Sequence, residues 1–159
     1  AGITTLSCWN RSAALMLKLF AVLIIFSTCS FAGSINNKNF GTAIVSKVTS
    51  IYDGDTFRVN ISGWPDIIGQ RIPVRVNGVD TPEMRGKCRL EVELARKAKK
   101  VTVAMLRNGS KIELRNIKRG KYFRVVADVF VDGKSLAEEL LRQKLAYRYT
   151  GGKKQSWCK

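Results

Sequence analysis

The sequence predicts an α+β domain in which five short strands curl into a small barrel accompanied by two to three helices. Three observations predict it. Apolar and polar side chains alternate along several separate stretches, the period of half-buried strands. Between the third and fourth of these stretches the period lengthens to that of an amphipathic helix. A serine followed three residues later by a glutamate marks the start of another helix after the last strand.

In chain order, Thr42 to Ile51 is rich in β-branched residues and forms the first strand. Asp53-Gly54 turns the chain, and Phe57, Val59 and Ile61 then alternate with Thr56, Arg58 and Asn60 in a second strand. Ser62-Gly63-Trp64-Pro65-Asp66 breaks that strand. Ile72, Val74 and Val76 alternate with Arg71, Pro73 and Arg75 in the third, where Pro73 implies an edge or a bulge. From Leu90 to Leu106 the residues Leu90, Leu94, Ala98, Val101 and Met105 make one apolar helical stripe, and Asn108-Gly109 closes it. Lys111 to Arg115 is a short fourth strand; Val125, Ala127, Val129 and Val131 line one face of a fifth, ended by Asp132-Gly133. Ser135 and Glu138 form a capping box for a helix carrying Leu136, Leu140 and Leu141. The tail from Gly151 is too short and polar for a further element. This order is that of an OB-fold, a Greek-key barrel often used to bind nucleic acids, although order alone also suits other α+β domains.

At 159 residues the chain has room for one domain with a hydrophobic core. Residues 1–32 hold no acid, carry Arg11 and Lys18, run apolar from Leu19 to Phe26 and end on the small Ser30 and Ala32. That is the layout of a signal peptide cleaved after Ala32, with Met16 as a candidate true start. Residues 33–41 are then a polar stub, 42–150 the domain and 151–159 the tail. A lipoprotein reading at Cys29 ranks second, because Phe-Ser-Thr before it suits such a site poorly. The product is expected to be exported, periplasmic or secreted, a monomer, with no stable membrane association once cleaved.

Twenty-eight Lys and Arg against 12 Asp and Glu give +16, and losing Arg11 and Lys18 still leaves +14. Polyanions are the natural partners, and charge alone does not separate nucleic acid from an anionic membrane. Cleavage would also discard Cys8 and Cys29, leaving Cys88 and Cys158 as an even pair in a compartment that permits a disulfide. Two cysteines and no histidine make a structural zinc site unsuited to this chain.

Against that basic background four acids fall in two tight clusters, Asp53-Gly54-Asp55-Thr56 and Asp80-Thr81-Pro82-Glu83. Hard oxygen ligands converging from two loops are what calcium requires, while either cluster alone is an ordinary turn. An EF-hand is excluded, because Phe57 and Trp64 occupy its fifth and twelfth positions. Arg75 and Arg124 lie at strand ends, and a guanidinium suits a phosphodiester whose charge grows under attack.

These motifs, with Arg75 five residues before Asp80, then Lys121-Tyr122-Phe123-Arg124 and Ala127-Asp128-Val129-Phe130-Val131-Asp132-Gly133, closely resemble the staphylococcal nuclease (thermonuclease) family over about residues 42–150. The resemblance extends to Ser135–Tyr149. It implies that Asp55 and Asp80 bind Ca2+ with the Thr81 carbonyl, while Asp53 shapes the turn. Glu83 would orient or deprotonate the attacking water, and Arg75 and Arg124 would hold the phosphate in the transition state. Lys121 and Tyr122 would contact substrate, and Tyr147 or Tyr149 could pack against a base or serve as core aromatics. The implied reaction is calcium-dependent hydrolysis of DNA and/or RNA at the 5′ P–O bond, leaving 3′-phosphate ends. Phe123 stands where the family usually has glycine, and the family's long last helix has no counterpart after Tyr149, a loss that a Cys88–Cys158 bond would offset by pinning the tail near the Glu83 loop.

Two other readings compete. A non-catalytic OB-fold that only binds nucleic acid gains nothing from Asp55, Asp80 and Glu83 facing phosphate. A cationic protein acting on membranes or cell walls accounts for export and charge but for none of the motifs.

Overall fold

The structure is a computed structural model that describes residues 38–158; the expected signal peptide and most of the stub lie outside the described residues. The elements are β1 (Ala43–Ile51), β2 (Thr56–Ile61), α1 (Asp66–Gly69), β3 (Ile72–Val76), β4 (Val79–Asp80), α2 (Arg89–Asn108), β5 (Ile112–Arg119), β6 (Val125–Val131), β7 (Lys134–Ser135), α3 (Leu136–Arg142) and β8 (Tyr147–Arg148).

The main sheet runs β3-β2-β1-β5-β6-β7, and a parallel pairing of β3 with β6 closes β1, β2, β3, β5 and β6 into a five-stranded barrel. Closure removes the open edges that Pro73 would otherwise mark, and Pro73 pairs with Arg58 on β2. Alternation puts Phe57, Val59, Val74, Leu114 and Val129 inside the barrel, each fully buried. Burying side chains of this size contributes about 1.5–3 kcal/mol apiece, which is why these strands hold against their short length. The α+β barrel with three helices is thus the fold the alternation predicts.

Several elements differ from their sequence reading, among them the two-residue strands β4, β7 and β8, which it lacked. The break after β2 contains the short helix α1, entered through Pro65, whose fixed φ suits a helix start. β5 extends to Arg119, four residues past the expected end, because a register shift between Arg115 and Lys118, with Asn116 at φ 52°, carries the pairing past a break in alternation. In α2 the fully buried face is Glu91, Ala95, Ala98, Thr102 and Leu106, while Leu94, Val101 and Met105 pack at its margin and Leu90 is exposed. The stripe is rotated because two polar residues on it find hydrogen-bond partners: Thr102 Oγ1 donates to the buried Gly54 carbonyl at 2.6 Å, and Glu91 accepts from the Lys87 amide at 2.8 Å. α3 opens as expected, with the Ser135 hydroxyl accepting from the Glu138 amide.

Both ends of the described chain are tied to the barrel. The Phe40 amide donates to the Ile117 carbonyl of β5. A bond between Cys88 and Cys158 anchors the tail at the start of α2, and Trp157 is buried against Tyr147, ring centroids 3.9 Å apart.

Candidate functional site

The site begins with a local turn. Asp53 Oδ1 accepts from the amides of Asp55 and Thr56, at 3.1 and 2.7 Å, and so bends the chain between β1 and β2. The turn can sit on α2 only because residue 54 is glycine: a Cβ there would stand 2.8 Å from both Ala98 Cβ and Thr81 Cγ2. The Thr102 hydrogen bond to Gly54 fixes the same contact from the helix side.

This places Asp55 beneath the second acid cluster. Asp55 Oδ2 accepts from the Thr81 amide at 2.9 Å, and Arg75 bridges the clusters, donating to Asp55 Oδ1 at 2.8 Å and Asp80 Oδ1 at 2.7 Å. Asp55 and Asp80 are 1% and 3% exposed, a burial that costs a charged carboxylate several kcal/mol unless it is compensated. Burial pushes Asp55 above its ordinary value against the opposing pull of Arg75. Burial, with repulsion from Asp55, pushes Asp53 up to about 7. Burial would lower the Arg75 guanidinium, but Asp55 and Asp80 hold it above its usual value.

Above these acids lies an open polar cavity of about 560 Å³. Arg75, Glu83, Lys121, Arg124, Tyr149 and Lys154 all line it. Glu83 is held on its loop by Glu91, which accepts from the Glu83 amide at 3.4 Å and the Lys87 amide at 2.8 Å. Arg124 follows a tight β5–β6 turn in which its carbonyl accepts from the Gly120 amide at 2.7 Å. The Nε of Arg124 is buried and has no hydrogen-bond partner among the described residues, while the residue as a whole lines the cavity.

The structure therefore gathers Arg75, Glu83, Lys121, Arg124 and Tyr149 around one cavity; Asp55, Asp80 and Thr81 do not line it and are linked to it through Arg75, which pairs with both acids. Tyr122 is 92% exposed and does not line that cavity; Tyr147, on β8 beside β4, is taken up in the stack with Trp157. Sequence reading missed Lys154, whose ammonium lies 2.8 Å from both Asp80 Oδ1 and Glu83 Oε1. Partial burial works against its charge, but those two carboxylates hold its pKa above the usual lysine value. Among the described residues, Cys88, Glu91 and Cys158 also bring ligand-type atoms together, but the bond between the sulfurs takes both thiols out of metal chemistry.

The arrangement suits a phosphodiester: two guanidiniums and two lysines for its charge, a carboxylate for the attacking water, and paired buried acids for a hard cation. Comparison with known proteins agrees. A probable endonuclease of Podospora anserina is 30% identical over 129 residues, 67% of this chain and 46% of that protein. The endonuclease YncB of Bacillus subtilis is 33% identical over 118 residues, 72% of this chain and 53% of its own length. The SPbeta prophage-derived endonuclease YokF of Bacillus subtilis is 35% identical over 97 residues, 59% and 30% respectively. The chain thus spans about half or less of these relatives. The family profile described as Staphylococcal nuclease homologue matches residues 73–157, more than half of the sequence, and that stretch carries Arg75, Glu83 and Arg124 on the cavity just described and Asp80 paired with Arg75: the chain belongs to the staphylococcal nuclease family.

Proposed function

We propose that this protein is a calcium-dependent nuclease that hydrolyses phosphodiester bonds in DNA, RNA or both, breaking the bond to the 5′ oxygen and leaving 3′-phosphate ends. The observation that carries the reading is the gathering of Arg75, Glu83 and Arg124 on one cavity, with Arg75 paired to the buried Asp55 and Asp80. Arg124 and Arg75 bind the phosphate oxygens, and their value rises as negative charge gathers on phosphorus in the transition state. Glu83, half exposed at the cavity wall, accepts a proton from the attacking water or holds that water in line. Lys121 and Tyr149 steady the rest of the strand.

Calcium fits the acid set. Asp55, Asp80 and the Thr81 carbonyl offer only oxygen, and burial, which disfavours the charged form of Asp53 and Asp55, is a cost that a bound cation would offset. When bound, the ion would withdraw charge from a non-bridging phosphate oxygen. The N-terminal segment is read as an export signal, which N-terminal sequencing of the exported product would test at Ala32–Gly33.

The deciding experiment measures cleavage of single-stranded DNA and RNA with calcium and with chelator, for the native protein and for Glu83→Ser and Arg124→Ala. Calcium-dependent cleavage that falls by about 10²-fold or more in each variant is the expected result. Tight, salt-sensitive binding without cleavage would instead make this a binding module.

A further inference from the structure

The wall formed by Arg124 has a second side. Behind the active-site cavity, between the β2–β3 connection and the β5–β6 turn, lies another groove of about 470 Å³, within the usual range for ligand sites. Arg124 lines both spaces. The walls of the second are aromatic and aliphatic, with Phe40, Trp64, Ile68 and Phe123 facing it, and Lys118 and Arg119 are the other cations that line it. No acid lines it.

Three features show that this groove is built rather than left over. The chain from Trp64 through α1 is folded so closely that a Cβ on Gly69 would stand 2.9 Å from Trp64 Cβ and from its carbonyl, which fixes the backbone of this groove-lining residue. Phe123 is half exposed and, like Tyr122, sits in the left-handed region, at φ 57° and 56°. Bulky residues avoid that region, so a turn serving only to connect β5 and β6 would carry glycine there. The Arg119 guanidinium lies over the Phe123 ring, 5.0 Å from its centroid, which holds the ring at the mouth of the groove.

An apolar aromatic floor, a cationic rim without acids and direct continuity with a phosphate-binding arginine match one ligand chemistry. We propose that the groove is a second nucleotide subsite, which takes one or two unstacked bases of a single strand of DNA or RNA running past the phosphate held by Arg124. The proposal rests on the nuclease reading for that phosphate. Bases would stack on Phe123 and Trp64 while Lys118 and Arg119 neutralise the flanking phosphates, an arrangement that tolerates sequence because every base offers a stacking face. The subsite makes the protein favour unpaired strands over duplex, whose bases are already stacked, and long oligomers over short ones.

The test uses the full chain with Ile68→Asp and Arg119→Glu, both at exposed or rim positions, with folding checked by circular dichroism. Binding of octathymidylate is measured in chelator, and kcat/KM is measured in calcium for the octamer and for a thymidine dinucleotide too short to reach both spaces. Each variant should weaken octamer binding about tenfold and lower the octamer-to-dinucleotide ratio of kcat/KM by a similar factor. Octamers with abasic positions over the groove should lose as much as the variants, and the variants should cost them nothing more. Equal effects on octamer and dinucleotide, or none on either, would overturn the subsite. So would unchanged octamer binding accompanied by lost binding to phosphatidylserine vesicles, which would assign the groove to a lipid surface. Failure of the native protein to cleave either substrate would sink the nuclease reading, while the chelator experiment would still report on the groove.

Discussion

Replacing Cys88 and Cys158 together by serine is the most informative perturbation of stability, because this bond closes a long loop and docks a tail that carries Lys154. The sequence separation is 70 residues. A cross-link of that span removes about 15 cal/mol/K of loop-closure entropy from the unfolded chain, or about 4 kcal/mol at 25 °C as an upper figure. For a domain whose whole stability is of order 5–15 kcal/mol, that is a large share. The native side offsets little of it: Trp157 stays apolar and stacked on Tyr147, but without the bond it must order the tail alone. Guanidinium unfolding of oxidised native protein, reduced native protein and the double serine variant gives the comparison directly. The reduced and variant proteins should coincide, each about 2–4 kcal/mol below the oxidised form. A loss below about 1 kcal/mol in both would refute the reasoning, since it would mean that the unfolded chain gains no freedom from opening a loop of this length.

Three further outcomes follow from the site. Asp53 is raised to about 7 in the folded, metal-free protein against 3.8 unfolded, so between these values the folded state binds more protons and stability must fall as pH rises from about 4 to about 7; melting in chelator across that range should show the fall, and Asp53→Asn should make it shallower while leaving the share of Asp55, which burial also raises. Thr102→Val deletes the hydroxyl that donates to the buried Gly54 carbonyl and should cost about 1–3 kcal/mol by denaturant unfolding, more than loss of an exposed hydrogen bond. Lys154→Met removes an ammonium that shares Asp80 and Glu83 with any incoming cation, so calorimetry should find calcium bound more tightly than by the native protein; weaker binding would show that Lys154 supports the site instead of competing for it.

Much of this was legible in the sequence, and the limits are physical. Alternation identifies strands because a strand sees only its two faces, so Phe57, Val59, Val74, Val129 and their neighbours reveal the barrel lining. It says nothing about pairing between distant strands, and the parallel contact of Val74 with Val125 that closes the barrel had to come from the OB-like order. The stripe on α2 misled by one position because hydrophobicity gives a polar residue no credit for a hydrogen-bond partner, and Glu91 and Thr102 each have one. Spaced motifs placed Asp55, Arg75, Asp80 and Glu83 together. Lys154 and Trp157 escaped because their positions follow from a contact across 70 residues that leaves no local pattern, although a tryptophan beside a paired cysteine in so polar a tail was a usable signal.

The acids also account for themselves in a protein that is otherwise strongly basic. Asp53, Asp55, Asp80 and Glu83 bring up to four negative charges to one end of the barrel, and the cations in contact with them are Arg75 and Lys154. With Arg75 alone the cluster would stand as much as three charges short of neutrality, and Lys154 brings that to two. In the metal-free protein burial, with repulsion from Asp55, raises Asp53 to about 7, and Lys154 from the tail lies on Asp80 and Glu83. A divalent ion held by Asp55 and Asp80 would favour release of the Asp53 proton and would repel Lys154 from Asp80 toward the cavity that it also lines. Lys154 would then join Lys121, Arg124 and Arg75 in facing the strand, so that the same lysine that balances the acids at rest adds to the positive field that draws in a polyanion once the ion is bound.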